Sequence, residues 1–369
     1  MQSCKEEIDQ RAGYQNRISH GFEVGRSIIT NARAHRNRRF VLNVDLEDFF
    51  GTVHLGRIRG LLINDTRFKL KPNVATVLAQ IACRNGVLPQ GSPCSPVIAN
   101  MIAHVMDLHL VKLASKYGCT YTRYADDLTF STNLQEFPTR LALQDRISPH
   151  KWILGESLRS KIDLSGFVVN NSKTRMQYHN SRQEVTGLVV NKKVNVRSEY
   201  RRTVRAMVHS LLTTGSFDLR QSVIPSTGIK FPAKVPGKIE QLHGMLGFIN
   251  RVDIYNNTLI ADEKMATEMT VSKESIYRRF LIFKNFYSIH RPVIVCEGIT
   301  DNIYLLHAIR GLCTKFPALV ETDASGKLNL KVQFFRYPKK GKLQTTSTGK
   351  ILGLTGGAGQ STELKPHPL

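Results

Sequence analysis

From Arg39 to Leu46 the chain alternates with a period of two: Phe40, Leu42, Val44 and Leu46 fall on one face, and Val41, Asn43 and Asp45 on the other. That alternation predicts a β-strand. Ser95 followed by Pro96 is a helix-start pair, and Ile98, Ile102, Val105 and Met106 recur at helical spacing towards Ala114. Thr120 to Ser131 reads as a hairpin, with Tyr-Thr-Arg-Tyr and Leu-Thr-Phe-Ser on either side of a tight acidic tip. Apolar runs and helical patterns alternate from Ser27 to about Val190, which predicts one α+β unit. A second region opens near Asn191. There Ser198 to Thr214 is expected to be a helix, with Tyr200, Val204, Val208 and Leu211 on its buried stripe and Gly215 as its stop. Residues 216–240, rich in Pro, Gly and Ser, are expected to form a loop. A third region starts near Arg291, where Val293 to Cys296 is a short apolar run ending in Glu-Gly. The first 20 residues are polar with little periodicity, and the Gly-, Thr- and Pro-rich tail after Gly353 is expected to be disordered.

Composition adds one strong constraint. The 369 residues allow two or three domains, and Lys and Arg number 52 against 29 Asp and Glu, a formal net charge of +23. Such a surplus calls for a polyanionic partner, nucleic acid or an acidic membrane surface. No apolar run approaches the roughly 20 residues that span a bilayer and no signal peptide opens the chain, so nucleic acid is the expected partner. The six cysteines are scattered and form no CxxC pair, and they read as reduced thiols of a cytoplasmic protein.

The chemistry is concentrated in three aspartates. Asp45 lies near the end of a hydrophobic strand, on the face opposite its apolar residues, while Asp126 and Asp127 are adjacent at the hairpin tip. Each alone is explained as a turn former or a strand-end charge. Adjacent carboxylates repel, and gathering all three makes sense if divalent cations neutralise them. Mg²⁺ favours a few carboxylates completed by water and substrate phosphates. Two such ions about 3.5–4 Å apart can activate a hydroxyl and stabilise a departing pyrophosphate.

The sequence around these residues resembles a known family. Tyr124-Ala125-Asp126-Asp127 is similar to the YxDD box of reverse transcriptases, and Asn43 to Phe50 (NVDLEDFF) resembles their first metal-binding motif. Leu88 to Pro96 (LPQGSPCSP) resembles the QGxxxSP motif that precedes the long palm helix. More narrowly, Asn31-Ala32-Arg33-Ala34-His35 resembles the NAxxH element of bacterial retron reverse transcriptases, and Val185-Thr186-Gly187 their VTG element. The resemblance covers about residues 18 to 290.

It implies an α+β right-hand polymerase of fingers, palm and thumb, the palm built on a split βαβ, ferredoxin-like core. Residues 1–190 would hold the fingers and palm, and 191–290 the thumb and connecting helices. Only about 30 residues precede Asn31, and the basic fingers motif of retron enzymes is not found there, so either reduced fingers or a reading frame truncated at its start is expected. By resemblance Asp45, Asp126 and Asp127 bind two Mg²⁺ ions and carry catalysis, and Phe50 is the steric gate that favours deoxynucleotides. Gln90 and Gly91 would lie along the incoming nucleotide and template; a core role remains the other reading of Phe50, and a plain turn that of Gly91. Asn31 and His35, at i and i+4, either line a polar helix surface or serve a structural or RNA-related role. Val185, Thr186 and Gly187 would help recognise the family's structured RNA. Arg201, Arg202 and Arg205 on the following helix suit phosphate contact, or form a solvated basic face.

The C-terminal stretch Pro292 to Asp301 resembles the opening of a Toprim domain, with Glu297 and Asp301 as a second acidic site. The later Asp-x-Asp partner is not evident; Glu321 and Asp323 have its spacing but not its surroundings. Residues 291–369 are therefore read as a partial Toprim-like α/β segment and tail. Gly353 to Thr362 is no P-loop, because Gln360 stands where a lysine is needed. The expected activity is RNA-directed DNA synthesis on a dedicated noncoding RNA that is both template and primer. It would consume dNTPs and yield a branched, msDNA-like RNA–DNA product. The resemblance further implies phage defence with an effector protein. The alternatives are a non-catalytic RNA-binding remnant and a Toprim-like nuclease.

Overall fold

The computed structural model describes residues 18–145, 147–148, 151–223, 231–257, 276–296 and 299–335. The chain divides into two units, Met1–Val196 and Arg197–Leu369.

The first unit begins with a short helix α1 (Ile28–Ala34) and strand β1 (Phe40–Glu47). Helices α2 (Leu55–Asn64), α3 (Pro72–Ala82) and the long α4 (Ser95–Lys116) follow, then the hairpin β2 (Thr120–Tyr124) and β3 (Asp127–Thr132). A small ribbon β4 (Ala142–Gln144) and β5 (Trp152–Leu154) leads to α5 (Glu156–Leu164), β6 (Val168–Tyr178) and a second hairpin, β7 (Glu184–Val185) and β8 (Leu188–Val189). The main sheet has the order β2-β3-β1-β6 with every neighbour antiparallel. Helices connect β1 to β2 and β3 to β6, which is the β-α-β-β-α-β connectivity of the ferredoxin-like fold.

β1 is central, and both its faces are covered: Val41, Leu42, Val44 and Leu46 are all buried. This explains why Val41 is buried although the alternation put it on the face opposite the other apolar residues. Helix α4 starts at Ser95 with Pro96 in its first turn and buries Ala99, Ile102, Ala103, Met106, Leu110 and Ala114 in the core. Val105, expected on that stripe, is instead exposed. By length and composition α4 would pass for a membrane span, contrary to the expectation that no run is long enough, but its apolar face packs into this core. In the β7–β8 hairpin Thr186 and Gly187 both take positive φ, 47° and 79°, the signature of a type I′ turn. The VTG element is thus a hairpin turn, with glycine at the position where a side chain is least tolerated.

The second unit contains α6 (Ser198–Thr214), a ribbon of β9 (Asp218–Val223) and β10 (Phe231–Pro236), and α7 (Ile239–Asn257). A helix at 276–282 continues into a π-helical turn, Phe283–Tyr287. β11 (Val293–Ile294), α8 (Ile299–Gly311), the hairpin β12 (Val320–Thr322) and β13 (Leu328–Leu330), and β14 (Gln333–Phe334) complete it. α6 buries Val204, Val208 and Leu211 as the stripe predicted, and Gly215 closes it in the left-handed conformation. The loop expected at 216–240 is corrected: β9 and β10 pair antiparallel from Asp218↔Pro236 to Val223↔Phe231. Pro232 and Pro236 are tolerated because a two-stranded ribbon is all edge. β11 and β14 pair in parallel, joined through α8, so the C-terminal stretch is an α/β piece. The tail after Gly353 lies outside the described residues.

One buried network organises the first unit. Arg123 of β2 and Asp107 of α4 form an ion pair at 2.8 Å with both side chains 0% exposed. Arg123 Nε also donates to Asp107 Oδ1, as does the Tyr121 hydroxyl, and Arg123 Nη1 donates to Asn100 Oδ1 and to the Ala125 carbonyl. A charge pair this deep persists because its hydrogen-bonding groups are met. Replacing Arg123 with Met strands Asp107 in the core. We expect a loss of about 3–5 kcal/mol in unfolding free energy, read as a shifted midpoint in urea denaturation.

Candidate active site

β1 and β3 place Asp45 directly opposite Asp127. Asp126 precedes Asp127 in the two-residue turn Ala125–Asp126, closed by the pairing of Tyr124 with Asp127. Ala125 holds that turn in the left-handed region, φ 56°. The Leu46 N–H donates to the Asp126 carbonyl at 3.0 Å, tying the turn to β1. On the other side of β1 the register with β6 shifts between Asn43 and Asp45, an irregularity of the kind that re-aims side chains beside active sites. Three carboxylates are thereby gathered at one end of the sheet.

Their electrostatics follow from that crowding. Burial, then the charge of Asp45, raises Asp126 above the ordinary carboxylate range. Burial, then the charges of Asp126 and Asp45, pushes Asp127 up to about 6, with Arg175 and Lys173 opposing. Lys173 of β6 brings its ammonium to 3.0 Å from Asp45 Oδ2 and 3.3 Å from Oδ1. An amine already sits where positive charge is wanted. Among the described residues no group of three or more His, Cys, Asp or Glu side chains encloses an ion by itself. The donor set fits a hard cation that completes its shell with water and phosphate oxygens, as Mg²⁺ does, rather than a closed protein cage.

Phe49 and Phe50 follow β1. Phe49 is buried and stacks on Phe167 at 5.6 Å, whereas Phe50 is half-buried and leans between Phe49 at 5.4 Å and Phe22 at 6.2 Å. Gln90 and Gly91 are exposed.

A family profile described as reverse transcriptase (RNA-dependent DNA polymerase) matches residues 8–200, more than half of the chain. The chain belongs to the reverse transcriptase family. Polymerases of this family are of the right-hand type, in keeping with the mixed helix and sheet content of the first unit. This reverse transcriptase homologue is 35% identical over 250 residues to the retron Mx162 reverse transcriptase of Myxococcus xanthus, covering 64% of this chain and 49% of that one. It is 32% identical over 237 residues to the retron Ec86 reverse transcriptase of Escherichia coli, covering 64% and 63%. To the retron Mx65 reverse transcriptase of M. xanthus it is 37% identical over 206 residues, covering 52% and 45%. The chain thus spans from under half to under two thirds of the length of these curated relatives. A solved telomerase structure from Candida albicans aligns with a TM-score of 0.41 at 11% identity, over 77% of this chain and 54% of that one, too loosely to argue from.

The remaining expected site residues divide sharply. Asn31 and His35 are both 0% exposed, so neither side chain lines a helix surface. They brace the hairpin: Thr122 Oγ1 donates to Asn31 Oδ1 at 2.6 Å, and His35 bridges Thr122 Oγ1 and Ser131 Oγ, each at 2.7 Å. Because the Thr122 proton goes to Asn31, His35 Nε2–H donates to Thr122 and Nδ1 accepts from Ser131. Val185 is also fully buried, while Thr186 is half-buried and Gly187 exposed. Arg201 is held in a bidentate pair with Asp253 of α7, at 2.8 and 2.6 Å, which makes it a clamp between two helices; Arg202 and Arg205 are exposed. Glu297 lies outside the described residues, and Asp301 stands in the first turn of α8. Asp323 accepts bonds from Ser325, Lys327 and Asn329 in its own turn, and Glu321 pairs with Lys331. Lys173 escaped the sequence reading, since only the irregular register of β6 shows it to face Asp45.

Burial holds His35 well below the ordinary imidazole value, at about 3, with the Arg38 charge adding to the effect. The unfolded chain therefore binds more protons than the folded one between pH 6.5 and about 3. The stability this confers is complete above pH 6.5 and is lost as the pH falls. We expect about 2 kcal/mol less stability at pH 5 than at pH 7 from this group. Thermal melting across that range checks it, and a His35→Gln variant, although less stable, should show a flatter profile.

Proposed function

We propose that this protein is an RNA-directed DNA polymerase of the retron type, copying a structured noncoding RNA into DNA. The observation that carries the reading is the meeting of Asp45, Asp126 and Asp127 at one end of a ferredoxin-like sheet, in a chain similar to retron reverse transcriptases. In this reading residues up to 190 form palm and reduced fingers, and α6 and α7 belong to the thumb. Asp45, Asp126 and Asp127 would hold Mg²⁺, two ions by the family resemblance. Bound there, Mg²⁺ supplies Lewis-acid activation of a hydroxyl and charge neutralisation at phosphate.

The chain's own residues do the rest. The sheet holds the carboxylates in place before substrate arrives, so little reorganisation is needed when charge develops. Lys173 neutralises Asp45 in the absence of other cations, and its exposed, flexible stem lets the ammonium turn to a phosphate oxygen of an incoming dNTP. Phe50, half-buried just beyond β1, screens the sugar, and the exposed Gln90 and Gly91 line the path of nucleotide and template. Exposed Arg202 and Arg205 contact RNA phosphates, a term that weakens with salt. Priming from a 2′ hydroxyl within that RNA would give a branched, msDNA-like product. Phage defence with an effector protein completes the retron reading.

The test is purified protein with the noncoding RNA transcribed beside its gene, dNTPs and Mg²⁺. Asp126→Asn and Asp127→Asn should each lower DNA extension by at least about 100-fold, the scale of losing one preorganised electrostatic group, without loss of RNA binding. RNA binding with no extension by the unaltered protein would favour the remnant instead. Cleavage that persists in both aspartate variants but vanishes in Glu297→Gln would point to a nuclease.

A further inference from the structure

We propose that Phe22 is a positioning residue for sugar selection: it buttresses Phe50 from a strap that is itself fastened to the turn carrying Asp126. The proposal rests on reading Phe50 as the residue that screens the sugar.

The strap is Ile18–Glu23, and it lies along the back of the β2–β3 turn. The His20 N–H donates to the Arg123 carbonyl at 2.7 Å, and the Arg123 N–H returns a bond to the Ile18 carbonyl at 3.1 Å. Asn100 of α4 donates through Nδ2 to the Gly21 carbonyl and to Glu23 Oε1, both at 2.9 Å, and accepts from Ser19 Oγ at 3.3 Å. The same Asn100 oxygen receives Arg123 Nη1, which also holds the Ala125 carbonyl. Gly21 completes the fastening. A Cβ there would come within 2.6 Å of the Ala125 nitrogen and 3.2 Å of the Tyr124 carbonyl carbon, so only glycine lets strap and turn lie this close.

The next residue is Phe22, whose position is therefore dictated by the turn. Its backbone is left-handed, φ 62°, which a bulky aromatic adopts rarely and only where the surroundings enforce it. Ordinary core packing does not account for this conformation, because the residue is 40% exposed. What the conformation does achieve is contact with Phe50: the ring centroids are 6.2 Å apart and the planes tilted by 58°. On its other side Phe50 meets Phe49 edge-on at 5.4 Å, and Phe49 is stacked on Phe167 in the core. Phe22, Phe50, Phe49 and Phe167 thus form a row with Phe50 held from both sides.

A steric screen works only while it cannot turn aside. A half-buried ring packed on one side can swing and admit a 2′ hydroxyl, whereas one packed on both sides keeps its rotamer, as a functional side chain must. Because one strap braces both the ring and the aspartate turn, the screen and the carboxylates keep a common frame.

The measurement is the ratio of kcat/KM for a dNTP to that for the matching rNTP, in primer extension by the full chain with Mg²⁺. The variants are Phe22→Asn, Phe50→Val and the double variant. Asn tolerates the left-handed backbone, so Phe22→Asn removes the ring without forcing the strap. We expect Phe22→Asn to lower the ratio by about 2- to 10-fold, the range of one aromatic pair, with a melting temperature close to that of the unaltered protein. Phe50→Val should lower it further, and the double variant should match Phe50→Val alone, because Phe22 acts through Phe50. An unchanged ratio in Phe22→Asn, while Phe50→Val loses selectivity, overturns the role of Phe22 and leaves that of Phe50 standing. Additive losses in the double variant overturn it too. If Phe50→Val leaves the ratio unaltered, Phe50 is no screen and the role of Phe22 falls with it.

Discussion

Like charges held in register are the constraint on which this structure turns. Asp45 and Asp127 stand directly opposite one another on adjacent antiparallel strands, and Asp126 precedes Asp127 in the turn. Such a pairing destabilises a sheet unless something compensates. Part of the compensation is visible in the raised proton affinity of Asp126 and Asp127, and part in the ammonium of Lys173 against Asp45. What remains is uncompensated negative charge at one spot of a chain whose net charge is +23.

The hairpin that carries the repulsion is gripped from both sides. α1 sends Asn31 and His35 to Thr122 and Ser131, while α4 sends Asn100 and Asp107 to Arg123 and Tyr121. Every one of these side chains is buried, and together they specify one register. A slip of one residue would turn Thr122 and Arg123 to opposite faces and leave polar groups unmet on both. Buried polar networks are poor sources of net stability but good sources of uniqueness, and uniqueness is what a three-carboxylate site requires.

How much of this was legible beforehand depended on whether a feature was local. β1, α4, the β2–β3 hairpin and α6 announce themselves through periodicity and end signals, because their apolar stripes and Gly, Ser and Pro positions lie within one element. The ribbon β9–β10 did not, since proline and glycine read the same in a loop and in an edge ribbon. For Asn31 and His35 composition left a helix surface and a structural or RNA-related role both open, because their partners Thr122 and Ser131 lie far along the chain. Arg201 likewise reads in sequence as a phosphate contact or part of a solvated basic face, since its partner Asp253 lies on another helix.

The sequence by itself determined the residue chemistry: three aspartates in motifs of recognisable form, an excess of positive charge, and the alternation that makes one end of a sheet their place. The tertiary structure decided which groups face them. Lys173 reaches Asp45 only because β6 shifts register beside it, and Phe22 reaches Phe50 only because Gly21 lies flat on the Ala125 turn. Motifs are written in residue order, whereas electrostatic and packing partners are set by distances that the folded chain alone defines.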